Sequence, residues 1–301
     1  LNEAKRLSDN RGVEDALVDQ SPHGDPAYRI VRDTAALDLL GARAQAQRNL
    51  YLAGRALEYE LNRPLPGIGA AVASARNAVA LRDFAFCLED IFDQSRWIYT
   101  DPQSYTRDVS VREMLGIAGP RVDEVTGEEL SEGEQFRLYV LRNENLDPDD
   151  SVSITFSTNL QPGNGLWSTG VCNDRITSVQ AQLVGDFLGD NEAEVQVVMS
   201  GAAVMRSCDT EEFRDWALGE GKAVVQAGVN SFGDAPPNTS LFGQPVARAN
   251  WTVTVWGAAA APANADVNLE SLDDIVLRIN HEAVPQHSLA APFNISCLSG
   301  P

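Results

Sequence analysis

The sequence predicts an α+β protein, in which an N-terminal helical hairpin is followed by an antiparallel β-sandwich. Apolar residues recur at helical spacing in the first third of the chain, whereas after Gln135 they alternate with polar residues. Spacings of three and four place side chains on one helix face, and a period of two places them on one face of a strand. The length of 301 residues exceeds what one core usually holds, so two structural regions are expected.

The helical hairpin is predicted for residues 33–115, after a polar arm or loop at residues 1–32. The first helix has an apolar face whose small residues favour close packing against another helix. This face consists of Leu39, Ala42, Ala46, Leu50, Ala53, Leu57 and Leu61. Prolines within residues 62–67 stop the helix, because proline lacks a backbone donor and clashes with the preceding turn. A second helical run over residues 68–91 completes the hairpin.

The β-sandwich is predicted for residues 136–284, after an acidic linker at residues 116–135 and before a C-terminal tail at residues 285–301. Strict alternation leaves one face of each strand in water, which disfavours a doubly wound parallel sheet and favours two stacked antiparallel sheets. The alternating segments are Phe136/Leu138/Val140, Val152/Ile154/Phe156, Val179/Ala181/Leu183, Val195/Val197/Met199, Ala223/Val225/Ala227, Trp251/Val253/Val255 and Ile275/Leu277/Ile279.

Two cysteines are predicted to face each other across a β-hairpin. Residues 175–184 and 194–205 alternate on either side of a turn-rich stretch. A hairpin centred near Asp190 places Cys172 and Cys208 each 18 residues from its centre. Opposed residues of antiparallel strands lie about 4.5–5.5 Å apart, a separation that suits a disulfide. Two buried free thiols are the alternative.

The remaining cysteines, Cys87 and Cys297, would then pair and connect the C-terminal tail to the helical region. Disulfides imply an oxidising compartment. The chain begins at Leu1 without the basic and apolar regions of a signal peptide, so we expect a processed product or a segment of a longer protein. Together these features predict a secreted or cell-surface protein.

The charge of the chain argues against several classes of partner. Its 43 acidic and 23 basic residues give a formal net charge of −20. Nucleic acids and anionic lipids both require a cationic face, so neither is expected as a partner. No apolar run approaches the ~20 residues that a membrane-spanning helix needs.

Four blocks of the sequence resemble the C-terminal region of the A component of Tc toxins, which are large bacterial toxin complexes. The resemblance covers roughly residues 37–62 and 172–281. The blocks are residues 175–183, similar to the family's strand R-I-K-S-V-S-V-S-L/I-P; residues 271–279, similar to T-I-S-D-V-I-L-H-I-R-Y-T; residues 241–244 with 251–253, similar to L-P-F-E-G followed by W-x-L-x-L-P; and residues 52–61, similar to A-E-R-A-Y-E-F-E-L.

The resemblance implies a β-sandwich preceded by long helices that serves as the docking platform for the family's B component. It therefore implies a non-catalytic assembly module within a large secreted protein, with protein partners and either a homo-oligomer or a larger complex. A toxin-like complex and a multimeric fibre or tube are both compatible with this interpretation.

Little in the sequence points to catalysis, so we expect that the protein is not an enzyme. General acid–base catalysis near neutral pH most often uses histidine. His23, His281 and His287 have no nucleophile motif at a recognisable spacing and are expected to be solvated surface residues. A hydrolase that uses two carboxylates brought together by folding is the third interpretation.

Two acidic loops are candidate calcium sites, and no other cofactor is expected. One loop contains Asp147, Asp149 and Asp150, and the other contains Asp186 and Asp190. Calcium takes about 6–8 oxygen ligands from closely spaced carboxylates and carbonyls. Ordinary turn formation by these residues is the alternative.

Four aromatic residues are candidates for contact with a ligand or partner, namely Trp167, Phe232, Phe242 and Trp256. Aromatic rings in loops stack on sugars or anchor protein partners, and packing in the core is the alternative role. Trp251 and Trp256 are five residues apart on one predicted strand and must face opposite sides. These residues support the second functional interpretation, a carbohydrate- or cell-surface-binding module assisted by calcium.

Overall fold

The structure is a computed structural model, and it describes residues 26–98, 101–141, 151–158, 170–189, 192–210, 212–234, 236–285 and 295–298. The chain divides into two compact units. The helical unit comprises Leu1–Glu60, Pro64–Gln94 and Phe293–Pro301, and the sheet unit comprises Leu61–Arg63 and Ser95–Pro292.

The described part of the N-terminal region contains three helices: α1 (Pro26–Glu60), α2 (Ile68–Ser74) and α3 (Ala78–Ile98). The predicted first helix and its end before the proline-containing turn are confirmed. The helix begins at Pro26 and therefore includes residues that the sequence assigns to an arm. Proline is favourable at a helix start, because its backbone angle is already helical and its missing N–H has no partner there.

The predicted second helix is wrong as a continuous element, because residues 75–77 separate α2 from α3. Ala75 leaves the helical conformation with φ −73° and ψ 88°. Asn77 then caps α3 by accepting a hydrogen bond from the Ala80 backbone N–H at 2.9 Å, a role that asparagine favours. The α1 and α2 helices are in close contact, since a Cβ atom at Gly54 would lie 2.9 Å from Ile68 Cγ2.

Ten strands form the β-structure of the sheet unit among the residues that the structure describes. They are β1 (Gln103–Ser110), β2 (Arg121–Val122), β3 (Glu129–Leu130), β4 (Val152–Phe156), β5 (Val171–Val184), β6 (Ala193–Arg206), β7 (Phe213–Trp216), β8 (Gly221–Val229), β9 (Ala247–Val255) and β10 (Asp274–Pro285). Eight of them form one sheet in the order β1-β10-β5-β8-β6-β9-β4, with β7 paired to β6, while β2 and β3 form a separate hairpin.

The strands thus hydrogen-bond into one curled sheet, where the sequence predicts two stacked sheets, and the sandwich is not confirmed. The joining strand is β8, which pairs antiparallel with β6 and parallel with β5 at Ala181–Leu183. All the other pairings within the described sheet are antiparallel. Alternation of apolar and polar residues indicates that one face of a strand is buried, but it does not indicate which strands are hydrogen-bonded to each other.

The strand β1 lies within the predicted helical domain, but it belongs to the sheet, where it pairs with β10 along the sheet edge. Its outward residues are polar and mostly exposed, so it lacks the apolar alternation of a central strand. A short helix, α4 (Val111–Met114), follows it directly.

The segment around Phe136 forms a helix, α5 (Glu132–Val140), where a strand is predicted. Phe136 and Val140 are buried, whereas Leu138 is 52% exposed. The buried pair is four residues apart, which is helical spacing that also satisfies a period of two. The missed signal is a capping box, in which Ser131 and Glu134 satisfy each other's backbone N–H groups at the helix start.

The sheet's core contains a polar site around Thr158. The Thr158 hydroxyl accepts a hydrogen bond from Trp251 Nε1 at 2.8 Å and from the Arg248 backbone N–H at 3.2 Å, and it donates to the Val246 carbonyl at 2.8 Å. Thr158, Trp251 and Arg248 are fully buried. Because buried polar groups must find partners, this site fixes β9 against the end of β4.

Candidate functional site

Among the described residues of the helical unit, the most exposed apolar surface lies on α1. From residue 30 to the end of this helix, seven large apolar side chains are exposed, and they are Ile30, Val31, Leu37, Leu39, Leu40, Tyr51 and Leu52. The predicted packing face is buried only at its C-terminal end, where Leu57 and Leu61 lie, whereas Leu39 near its other end is 71% exposed. The described residues therefore provide only part of the predicted close packing of this face.

Helix α1 has a second apolar face, which the sequence analysis does not predict. At 3.6 residues per turn, Ile30, Leu37, Leu40, Tyr51 and Leu52 lie within an arc of about 120°, roughly opposite the predicted face. A helix that is apolar on more than one side is typical of a position surrounded by other protein. The helical spacing of these residues is the signal that would have revealed this face.

The aromatic candidate Phe232 is engaged within the chain. The Arg278 guanidinium lies over its ring, with Cζ 3.9 Å from the ring centroid. Arg278 also donates two hydrogen bonds of 2.8 Å to the Asp108 carboxylate. These hydrogen bonds raise the pKa of the Arg278 guanidinium, so the stack holds a permanent cation. This geometry fits a structural cation–π stack on β10.

The other aromatic candidates have different environments. Phe242 lies in a turn and is 70% exposed, whereas Trp256 follows the end of β9 and is half-buried. Trp251 is fully buried. Trp167 lies outside the described residues. Phe242 is the candidate that the structure leaves accessible, and the carbohydrate-binding interpretation remains a prediction.

The calcium candidates are only partly covered by the structure. Asp186 is exposed in the turn after β5, while Asp147, Asp149, Asp150 and Asp190 lie outside the described ranges. Within the part of the chain that the structure describes, no group of three or more His, Cys, Asp or Glu residues could hold a metal ion. The calcium sites therefore stay a prediction.

The expectation of a solvated His281 is wrong, because this residue is 4% exposed and lies within β10. Its Nδ1 atom is 2.6 Å from Asp174 Oδ1 on β5. Its ring stacks on Tyr105 of β1, with centroids 5.5 Å apart. His281 thus contacts both strands that flank β10, which is a structural role. His23 and His287 lie outside the described residues.

Both expected disulfides are present. Cys172 and Cys208 are joined within the sheet unit, and Cys87 and Cys297 are joined within the helical unit. The hairpin that motivated the first pairing is wrong, since β8 lies between β5 and β6. The two cysteines meet nevertheless, with their Cα atoms 5.1 Å apart.

A cavity of about 410 Å³ lies between the β2–β3 hairpin and α5. Ile117, Leu130 and Tyr139 contribute its apolar lining, and Arg121 and Asp123 contribute charges of opposite sign. This mixed lining does not define the chemical class of a ligand. Among the described residues, no helix has both the length and the apolar character required to cross a bilayer.

Comparison with known proteins relates the fold to Tc toxin components. No protein-family model and no curated protein matches the sequence. The structure is similar to Yersinia pseudotuberculosis TcaA-TcaB, with a TM-score of 0.50, 14% sequence identity, and coverage of 94% of this chain and 16% of that chain. For Morganella morganii TcdA4 the TM-score is 0.45 and the identity 15%, with coverage of 93% and 13%. The similarity to TcaA-TcaB therefore indicates a Tc-toxin-like fold. This chain spans less than a fifth of the length of either structure.

Proposed function

We propose that this chain is a non-catalytic assembly module of a larger secreted protein of the toxin-complex type, in which α1 packs against the α1 helices of other copies. The observation that carries this proposal is the set of seven exposed large apolar side chains on α1. The proposed module requires no cofactor.

The number of exposed side chains on α1 suits stable association. Burying one leucine-sized side chain stabilises a complex by about 1.5–3 kcal/mol. Association costs about 4–15 kcal/mol in lost translational and rotational freedom, so one or two such residues are insufficient. Seven on a single helix, distributed over two faces, provide enough apolar surface for contact with two neighbours.

The charge of α1 permits contact between copies. The whole chain has a net charge of −20, which opposes association through most of its surface. Helix α1, in contrast, contains five arginines and four carboxylates and is close to neutral. Copies that meet along α1 therefore avoid most of the repulsion between their acidic surfaces.

Three further observations support the finer parts of the proposal. The likeness to TcaA-TcaB extends over 16% of that chain, which fits a module of a larger protein. Two disulfides fit a secreted protein. Two of the sequence blocks that resemble the B-component-binding region of Tc toxins become neighbouring strands, β5 and β10.

Light scattering after size-exclusion chromatography tests the proposed association. The parent chain should be oligomeric, and Leu37→Gln with Leu40→Gln should shift it towards the monomer without changing net charge. Val125→Gln is the matched control, because Val125 is 93% exposed and lies in the sheet unit. A parent chain that stays monomeric over a wide concentration range would contradict the proposal, as would a double variant that associates like the parent.

A further inference from the structure

The turn between β5 and β6 presents one aromatic side chain to solvent. Phe187 is 90% exposed, while the next residue, Leu188, is 1% exposed and packs in the core. Phe187 has a φ of 64°, in the left-handed region that bulky residues rarely adopt. The turn therefore places a phenyl ring outward at the end of the sheet, in a conformation that is intrinsically unfavourable.

Neighbouring segments hold this turn in place. The Asn230 side chain accepts a hydrogen bond from the Gly185 N–H at 3.0 Å and donates to the Gly185 carbonyl at 2.8 Å. On the other side of Phe187, the Leu188 carbonyl accepts from the Asn268 N–H at 3.0 Å. A Cβ atom at Gly189 would lie 2.5 Å from the Asp266 carbonyl oxygen. The turn is thus fixed on both sides of the aromatic residue.

A side chain fixed in this way is suited to binding. Residues in unfavourable backbone conformations cost about 1–3 kcal/mol each and persist where the surrounding structure imposes them. An aromatic side chain on a rigid backbone loses little conformational entropy when it enters a pocket, and such residues often dominate the binding energy of interfaces. These properties assign Phe187 the role of an anchor.

The segments around Phe187 carry negative charge. Residues 184–194, 229–234 and 256–273 contain no lysine or arginine. Their exposed carboxylates are those of Asp186, Glu192, Asp234, Asp266 and Glu270. Two arginines border these segments, since Arg278 stacks on Phe232 and Arg137 pairs with Asp273. The exposed carboxylates outnumber these two cations, which favours a cationic partner surface.

We infer that this end of the sheet is a docking surface for a partner protein whose apolar pocket receives Phe187 and whose rim carries lysine and arginine. A second copy of this chain fits poorly, because its net charge is −20. The inference concerns the sheet unit alone and does not depend on association through α1.

A synthetic amphipathic helix of leucine and lysine is a suitable probe, because its apolar face is bordered by ammonium groups. Phe187→Asn removes the ring while keeping a residue that tolerates positive φ. We expect this substitution to weaken probe binding at least about tenfold, or about 1.4 kcal/mol, in fluorescence anisotropy. Phe242→Asn, at another exposed phenylalanine, should leave the affinity unchanged. Phe187→Asn should weaken binding equally when it is combined with Leu37→Gln and Leu40→Gln, which reduce the apolar surface that α1 offers to the probe.

Three outcomes would overturn the inference. One is equal affinity of the probe for the parent chain and for Phe187→Asn. Another is equal binding of a probe with glutamate in place of lysine. The third is Phe187-dependent binding to vesicles of zwitterionic or anionic lipid, which would assign the ring to a lipid surface. The α1 variant separates this test from the proposed self-association, because it alters oligomeric state and leaves the turn intact.

Discussion

Asp274 Oδ2 accepts a hydrogen bond from Ser110 Oγ at 2.5 Å, although the two residues are 164 positions apart in the chain. Asp274 Oδ1 accepts from the Arg112 backbone N–H at 3.0 Å. Since Ser110 ends β1 and Asp274 begins β10, this carboxylate fixes the start of α4 to the sheet. Burial raises the pKa of Asp274, and the hydrogen bonds only partly oppose this effect.

The raised pKa of Asp274 predicts a pH dependence of stability. The folded protein binds this proton more tightly than the unfolded chain, so the contribution of Asp274 to the free energy of unfolding is greatest at low pH. It falls as the pH rises through the folded pKa. The Asp274→Asn variant should lack this decrease in the free energy of unfolding. In urea denaturation at a series of pH values, it should therefore gain stability relative to the parent as the pH rises.

Asp266→Asn, at an exposed aspartate, controls for the change in net charge. A difference in unfolding free energy between the parent and Asp274→Asn that stays constant across the acidic range would show that burial does not shift this carboxyl.

The capping box of α5 predicts the opposite pH dependence. Hydrogen bonds from the Ser131 side chain and backbone lower the pKa of Glu134, so its stabilising effect is present above the unfolded pKa and is lost as the pH falls through the folded pKa. Ser131→Ala should destabilise the protein by about 1 kcal/mol near neutral pH. This loss should shrink in acid, as measured by urea denaturation, and a loss that is independent of pH would contradict the prediction.

The two disulfides should differ in their susceptibility to reduction. Cys297 is exposed, whereas Cys172 and Cys208 are both buried. Thiol–disulfide exchange requires access of a thiolate to a sulfur atom. In a titration with dithiothreitol followed by alkylation and mass spectrometry, Cys87 and Cys297 should be labelled first. Simultaneous labelling of all four cysteines in the folded protein would refute this order.

The buried hydroxyl of Thr158 should contribute measurably to stability. Thr158→Val leaves the Trp251 indole N–H and the Arg248 backbone N–H without this acceptor in the core. An unsatisfied buried polar group costs about 1–3 kcal/mol. Thr155→Val is the matched control on the same strand segment, because its hydrogen bond to Thr252 is exposed. Equal unfolding free energies for the two variants would contradict the proposed role of Thr158.

The predictions from periodicity succeeded where one face of an element is buried. Six of the seven alternating segments lie in strands, from Val152 to Ile279. The Phe136 segment failed because residues four apart satisfy both helical and strand periods, and β1 was missed because an exposed edge strand lacks alternation. The side chains of α1 were identified as apolar, but their exposure depends on which surfaces the rest of the chain covers.

The sequence by itself determined the α+β class, the long first helix and most of the strands, because these follow from local spacing and from the positions of proline. It also predicted the two cysteine pairs that the structure contains, although the hairpin from which Cys172 and Cys208 were paired does not form. Only the tertiary structure decided that β8 joins the strands into one sheet, that His281 is buried beside Asp174, and that Phe187 faces solvent. These features depend on contacts between residues far apart in the chain, which a local pattern does not encode.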